Sequence, residues 1–166
     1  MSASARAALV TGGARGIGRA IALDLARRGW QVAVGYRTSA GAAAETRAAI
    51  EAAGGRGLAL AGDVGDPEVV LRLGREVEAA FGRIDALVRA LARALAPDGI
   101  TVNAISPGFV DSGGTRGAEL EAMRPRIPAG RLGSVDDAVA AARFLLSEEA
   151  GYVTGADLVV SGGWGL

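Results

Sequence analysis

The sequence predicts an α/β domain built on a doubly wound parallel sheet. Short apolar runs alternate with stretches of helical periodicity along the chain, and a glycine-rich turn joins the first run to the first helix. Strands that alternate with helices in this way form parallel sheets covered on both faces. The 166 residues, half of them hydrophobic, are enough for one compact domain over 1–166.

The first 88 residues predict three strand–helix pairs and a fourth strand. The clearest helix begins at Asp66-Pro67-Glu68, which supplies an N-cap, a proline at the first position and an acidic first turn, and it ends before Gly82. Strands are predicted over 7–10, 31–36, 58–61 and 84–88, and the other helices over 17–28 and 42–53.

The remaining chain predicts a short helix over 89–96 and a strand over 100–105. An irregular stretch over 109–133 follows, and its length suggests a binding loop or lid. Ser134-Val135-Asp136-Asp137 is similar to a capping box, which predicts a helix over 135–147, and the last strand is expected over 157–160.

Composition excludes several classes of function. The 18 basic residues, all arginine, balance 18 acidic ones, so we expect no broad basic surface for nucleic acid or anionic lipid. The chain has no Cys, His or Lys, which argues against a disulfide framework, a thiol nucleophile and a metal site. No apolar run is long enough to span a membrane and no signal peptide is recognisable, so a cytoplasmic location is expected.

The glycine-rich turn, Thr11-Gly12-Gly13-Ala14-Arg15-Gly16-Ile17-Gly18, lies between the first strand and the first helix. Glycine permits a tight turn there and lets backbone N–H groups approach a pyrophosphate at the helix N-terminus. Four further motifs follow in order along the chain: Asp63-Val64, Asn103 to Gly108, Tyr152 to Gly155 and Val159 to Gly163.

Together these motifs resemble the short-chain dehydrogenase/reductase family over nearly the whole chain. Within that family the resemblance is strongest to bacterial 3-oxoacyl-acyl-carrier-protein reductases and related ketoreductases. The resemblance implies a Rossmann-like fold and a nicotinamide dinucleotide cofactor. Two residues depart from the family's pattern, because Ser161 replaces a usual Asp and Ser112 stands where Thr is common.

The resemblance also implies roles for individual residues. Gly12, Gly16 and Gly18 would shape the pyrophosphate loop, with Ile17 near the cofactor. At the adenine end, Asp63 would accept a hydrogen bond from the adenine amine and Val64 would pack against the ring. At the nicotinamide end, Pro107 and Gly108 would border the ring, and the backbone of Val110 would meet the carboxamide.

The residues after the second strand indicate which dinucleotide binds. An NAD enzyme places a carboxylate there to accept from the ribose 2′-OH, but this strand runs into Tyr36-Arg37-Thr38-Ser39 without an acid. Arg15 and Arg37 together suit a 2′-phosphate through charge-assisted bonds. The sequence therefore predicts NADP(H).

The family's carbonyl reduction uses a Tyr, a Lys four residues later and a Ser, and a chain without Lys cannot contain that pair. We therefore assign no catalytic residue. The order of motifs places an internal deletion near 88–89, on the order of 60–80 residues at about 30 residues per βαβ unit. The expected sheet, one strand short, has the order 3-2-1-4-6-7 in the family's strand numbers.

Three functions remain open at this stage. The chain is expected to be a non-catalytic NADP(H)-binding protein. One alternative is an NADPH-dependent oxidoreductase acting on a ketone or 3-oxoacyl thioester, either slow or with a segment missing from this sequence. The other is a structural or interaction subunit without cofactor. The intact C-terminal strand and the 135–147 helix, which serve as an interface in the family, predict a homodimer.

Overall fold

Strands and helices alternate along the chain, as the sequence predicts. The structure is a computed structural model that describes residues 5–82, 86–87, 101–113 and 117–165. Its strands are β1 (Ala7–Thr11), β2 (Gln31–Tyr36), β3 (Gly57–Ala61), β4 (Ala86–Leu87), β5 (Thr101–Val102), β6 (Ala104–Pro107), β7 (Val110–Asp111), β8 (Gly133–Ser134) and β9 (Asp157–Val160). Its helices are α1 (Gly16–Arg27), α2 (Ala40–Ala52), α3 (Pro67–Phe81), α4 (Gly117–Glu121) and α5 (Val135–Leu145).

The central sheet is parallel and has the order β3-β2-β1-β4-β5. Only Asn103 separates β5 from β6, and β6 pairs in parallel with β9. The stretch 101–107 therefore lies beside β4 through its first part and beside β9 through its second. This confirms the predicted order 3-2-1-4-6-7, with β5 and β6 at the sixth position and β9 at the seventh.

Helices cover both faces of the sheet because successive side chains of a strand point to opposite faces. On β2, the buried Val32 and Val34 pack in one cluster with Leu25 of α1. Ala33 points the other way and packs with Leu73 of α3. The alternation along one strand thus separates the two apolar cores of the doubly wound fold.

The two best-defined helices begin as predicted. Asp66 caps α3 by accepting the Glu68 N–H at 2.9 Å, and Gly82 ends the helix in the left-handed conformation. At α5, Ser134 and Asp137 form a reciprocal capping box. Arg131 strengthens it with two bonds to Asp137, at 2.7 and 2.8 Å. These caps fix the ends of helices that frame the sheet.

A cluster of three charged side chains joins α1 to α5. Asp24 accepts from Arg143 of α5 at 2.5 and 3.0 Å and from Arg28 at 2.9 Å. The Arg143 hydrogen bond holds the pKa of Asp24 below its usual range; burial opposes this effect, and the Arg28 hydrogen bond lowers the pKa further. The carboxylate therefore stays ionised where the two helices meet.

The prediction of an irregular stretch over 109–133 is wrong in part. That stretch contains β7, α4, a 3₁₀ turn at Arg124–Arg126 and the first residue of β8, and β7 pairs in parallel with β8. A strand of two residues is too short to show an alternating pattern in the sequence. Its partner lies 23 positions away, so neighbouring residues give no sign of the pairing. The helix predicted over 89–96 and most of the strand predicted over 84–88 lie outside the described residues.

The boundaries of other elements shift by a residue or two. The second helix begins at Ala40 and not at 42, and the first begins at Gly16 and not at 17. None of the helices in the described ranges is long and apolar enough to cross a membrane.

Candidate dinucleotide-binding site

The glycine-rich turn between β1 and α1 has a backbone conformation that Cβ atoms at its glycine positions would strain or block. Gly12 and Gly16 have φ values of 64° and 51°, in the left-handed region that favours glycine. A Cβ atom at Gly18 would collide with the carbonyl group of Gly12, since it would lie 2.7 Å from the carbonyl carbon. Glycine is thus required at all three positions predicted to shape this turn, and also at Gly13, where a Cβ atom would lie 2.8 Å from the Val10 carbonyl oxygen.

Two contacts from neighbouring elements hold the turn in place. The Gly13 N–H donates to the Gly35 carbonyl of β2 at 3.2 Å. The buried Thr46 hydroxyl of α2 lies 3.2 Å from the Ala14 carbonyl and 2.9 Å from the Ala42 carbonyl. Thr46 was not predicted from the sequence. Its inward position, with Ala43 and Ile50 on the same buried face of α2, is the signal that points to a tertiary partner.

At the ends of β2 and β3, the structure brings two predicted residues into contact. Arg37 lies 3.4 Å from Asp63, and both side chains are exposed. The Gly65 N–H donates to Asp63 at 2.9 Å and lowers the pKa of that carboxyl, and Arg37 lowers it further. Val64, next in sequence, is 40% exposed. The ends of β2 and β3 therefore bring together the Asp63 carboxylate, the Arg37 guanidinium and the exposed side chain of Val64.

Arg15 lies at the N-terminus of α1, as its N-cap residue in an extended conformation, and Ile17 is in the first turn of that helix. The N-terminus of a helix carries partial positive charge and free N–H groups, and it attracts phosphate. The arginine adds a full charge at this position. This end of the turn suits an anionic group.

The residues predicted for the nicotinamide end follow β6. Pro107 ends that strand, and the Gly108 N–H donates to the Val160 carbonyl at 3.1 Å. A Cβ atom at Gly108 would lie 2.9 Å from Ser161, so glycine is needed for this close approach. Val110 then enters β7. Beyond it, Ser112 Oγ would lie 3.8 Å from a Cβ at Gly16, which brings this segment to the glycine turn.

All eleven predicted site residues thus lie in or next to the carboxyl ends of β1, β2, β3 and β6. In parallel α/β sheets this edge is where ligands bind. The arrangement can hold a dinucleotide, with phosphates at the glycine turn and the adenosine near Arg37 and Asp63. No group of side chains suited to a metal ion occurs among the described residues.

Comparison with known proteins places the chain in a family. The family model described as short chain dehydrogenase matches residues 6–90, and one described as enoyl-(acyl carrier protein) reductase matches residues 85–165. Fold, site and family match define one class: the chain belongs to the short-chain dehydrogenase/reductase family, as the sequence analysis expected.

Among relatives of known function, the chain is similar to the 3-oxoacyl-acyl-carrier-protein reductase FabG of Pseudomonas aeruginosa, with 32% identity over 98% of both chains. It is also 31% identical to the 1-cyclohexenylcarbonyl-CoA reductase of Streptomyces collinus, over 93% of this chain and 85% of that one. The first alignment runs over 244 positions, so about 80 of them have no residue of this 166-residue chain.

Solved structures agree with this placement. A short chain dehydrogenase from Burkholderia cenocepacia, solved in complex with NADP, is 28% identical and superposes with a TM-score of 0.80 over 96% of this chain and 97% of that one. A dehydrogenase/reductase from Sinorhizobium meliloti, 27% identical, also has a TM-score of 0.80 over 99% and 97% of the two chains.

Proposed function

We propose that this chain binds NADP(H) and does not reduce ketones at an enzymatic rate. The observation that carries the proposal is a contrast within the molecule. The strand ends suited to a dinucleotide carry all the predicted binding residues, whereas the sequence has no lysine to pair with a catalytic tyrosine. Tyr36 ends β2 near the proposed adenosine end, and Tyr152, which is fully exposed, precedes the first residue of β9, whereas the proposed nicotinamide end follows the last residue of β6.

The choice of NADP(H) over NAD(H) rests on Arg37 and Arg15. No carboxylate follows β2 directly, where it would accept from a ribose 2′-OH. A 2′-phosphate would instead compete with Asp63 for the Arg37 guanidinium, and phosphate–arginine bonds are charge-assisted. The Burkholderia relative, solved with NADP, supports the same cofactor.

Cofactor binding is tested by titrating NADPH and NADH against the intact protein and following cofactor fluorescence. Arg37→Ala should weaken NADPH binding about tenfold or more, the effect of losing one charged hydrogen bond, and leave NADH almost unchanged. Arg75→Ala, on the exposed face of α3, is the matched control and should change neither. Equal losses for the two cofactors in Arg37→Ala would refute the assignment, and no binding of either would favour a subunit that works without cofactor.

Activity is tested with NADPH and a panel of ketones and β-ketoacyl thioesters, on protein whose mass matches the sequence. We expect no turnover above a trace, because general acid catalysis contributes roughly 10²–10⁴-fold and the same residues position the substrate. Ordinary rates that disappear in Gly16→Trp would show instead an oxidoreductase with a different catalytic group. A cytoplasmic location also remains part of the proposal.

A further inference from the structure

An apolar cavity of about 270 Å³ lies between β1, α1, β6 and α5. Protein interiors are close-packed, and voids larger than a water molecule are few in a domain. This cavity is well above that size, and it is lined by elements from both halves of the chain. It is therefore a feature of the fold and not a local packing defect.

The cavity lies along the described pairing of β4 and continues beyond it, since Ala8 and Thr101, the partners of Ala86, both line it. β4 joins β1 through the pair Ala8–Ala86 and joins β5 through two pairs, the last of them Leu87–Val102. Beyond those pairs, Val10 and Thr11 on β1 and Ile105 on β6 line the cavity. β1 and the stretch that runs from β5 into β6 thus both contribute walls of the cavity.

The cavity extends from the glycine turn into the core. Three residues proposed to hold the cofactor, Ile17, Gly18 and Pro107, also line the cavity. Leu25 of α1 and Leu145 of α5 line it deeper, where the two helices pack together. A molecule inside would contact the underside of the glycine turn without occupying the exposed region around Arg37 and Asp63.

The walls contain no charged side chain among the described residues, and most are aliphatic. Asn103 is polar, but its amide already donates to the Val153 carbonyl at 2.8 Å and accepts the Ala156 N–H at 3.1 Å. Thr11 and Thr101 supply hydroxyl groups at the two ends. A charged ligand would lose hydration here without a partner, whereas an apolar one would gain by burial.

We propose that this cavity is a binding site for a small uncharged molecule, mostly hydrocarbon with at most one hydroxyl or carbonyl group. An engineered apolar cavity of about 150 Å³ accommodates benzene, so this larger one suits a molecule of about ten carbon atoms. Binding does not require the cofactor, because the deep walls come from α1, α5 and the strand edges.

The test uses 2-naphthol as the probe, on the full chain, with affinity measured by calorimetry. Ala142 of α5 is 5% exposed and lines the cavity, so Ala142→Leu fills it. This change should weaken 2-naphthol binding at least about tenfold, because three added carbon atoms occupy the ligand's space. Ala44→Leu, at an exposed position of α2, is the matched control and should bind like the unchanged protein.

A charged probe checks the chemistry. 2-(Aminomethyl)naphthalene has the same rings and a positive charge, and it should bind far more weakly than 2-naphthol. If Ala142→Leu fails to fold, Ala142→Val takes its place and should weaken binding by a smaller factor. Equal affinity of the unchanged protein and the filled variant, or of the two probes, would overturn the proposal.

NADPH titration separates this proposal from that of cofactor binding. A folded Ala142 variant should bind NADPH as the unchanged protein does, since Ala142 lies on α5 and is none of the residues proposed to hold the cofactor. Loss of 2-naphthol binding with NADPH binding intact is the expected result. Loss of both together would show that filling the cavity disturbs the glycine turn, and it would remove the basis for a separate site.

Discussion

Gly18 shows how one missing side chain determines the shape of the candidate site. The residue lies within α1, where glycine usually costs stability relative to alanine. Here the Gly12 carbonyl occupies the space that a Cβ atom would need. The tight approach of the turn to the helix therefore requires glycine, despite its low helix propensity.

We expect Gly18→Ala to lower the free energy of unfolding by about 1–3 kcal/mol, because the methyl group must push the turn away from the helix. NADPH affinity should fall as well. Gly41→Ala is the matched control, since a Cβ there meets nothing within 4 Å and alanine favours the helix. Chemical denaturation measures the free energy of unfolding of both variants. An undiminished stability of Gly18→Ala would contradict the close approach of Gly18 to the Gly12 carbonyl.

The contact between Arg37 and Asp63 could not be predicted from the sequence. The family resemblance assigned both to the adenosine end, but not their contact at 3.4 Å. That contact depends on the register between β2 and β3, in which Tyr36 lies opposite Ala61. Register of this kind is set by packing across the whole sheet, and no local pattern encodes it.

Helices α1 and α5 are far apart in sequence and are joined by Asp24 and Arg143. The Asp24 side chain is only 14% exposed, so solvent screens its ion pairs less than those of the surface. The pKa of this carboxyl is lower in the folded protein than in the unfolded chain. Asp24 therefore contributes stability above its unfolded pKa of about 3.9, and that contribution is lost as the pH falls through the folded value.

Asp24→Asn should cost about 1–3 kcal/mol of unfolding free energy at pH 7, where three charged hydrogen bonds are lost or weakened. The difference from the unchanged protein should shrink as the pH is lowered below 4. Glu45→Gln, at an exposed position of α2, should show no comparable loss. Denaturation curves at pH 7, 5 and 3 test this, and a difference that persists at pH 3 would exclude the ion pairs as its cause.

The elements that the sequence predicts well are those with local signals. The bounds of β2 and β9 agree with the prediction, and α3 and α5 begin at their predicted caps, Asp66 and Ser134. Caps and alternation act over a few residues, so they can be read from one segment. The β7–β8 pair and the Thr46 bond join distant segments, and the cavity arises from four elements together, so none of these was predicted.

The whole molecule presents an apolar surface at one side of the sheet. β9 pairs with β6 alone in the described part of the chain, and it exposes 54% of Val159. Phe144, on the neighbouring helix α5, is also exposed. An edge strand with exposed apolar side chains invites pairing with another chain.

We expect a homodimer through β9 and α5, with twice the 16.6 kDa mass of the chain in light scattering. Val159→Arg should give a monomer, because a charge at the centre of the interface loses its hydration. Val64→Arg, at an exposed valine on β3's side of the sheet, should leave the dimer intact. A tetramer, or a monomer in the unchanged protein, would reject this assembly.

The two tryptophans lie at distant places and give the chain two optical reporters. Trp30 is 6% exposed beside β2, with the Arg6 guanidinium 4.7 Å above its ring. Trp164 follows β9, is 38% exposed and meets the Phe109 ring edge-on at 4.6 Å. Trp30 should therefore emit at shorter wavelength than Trp164. Trp164→Phe keeps Trp30 and reports on the N-terminal portion during denaturation. Trp30→Phe keeps Trp164 and reports on the C-terminal portion. If the two emission changes coincide, the protein unfolds in a single cooperative transition. We expect this result because the Asp24–Arg143 ion pair joins α1 to α5.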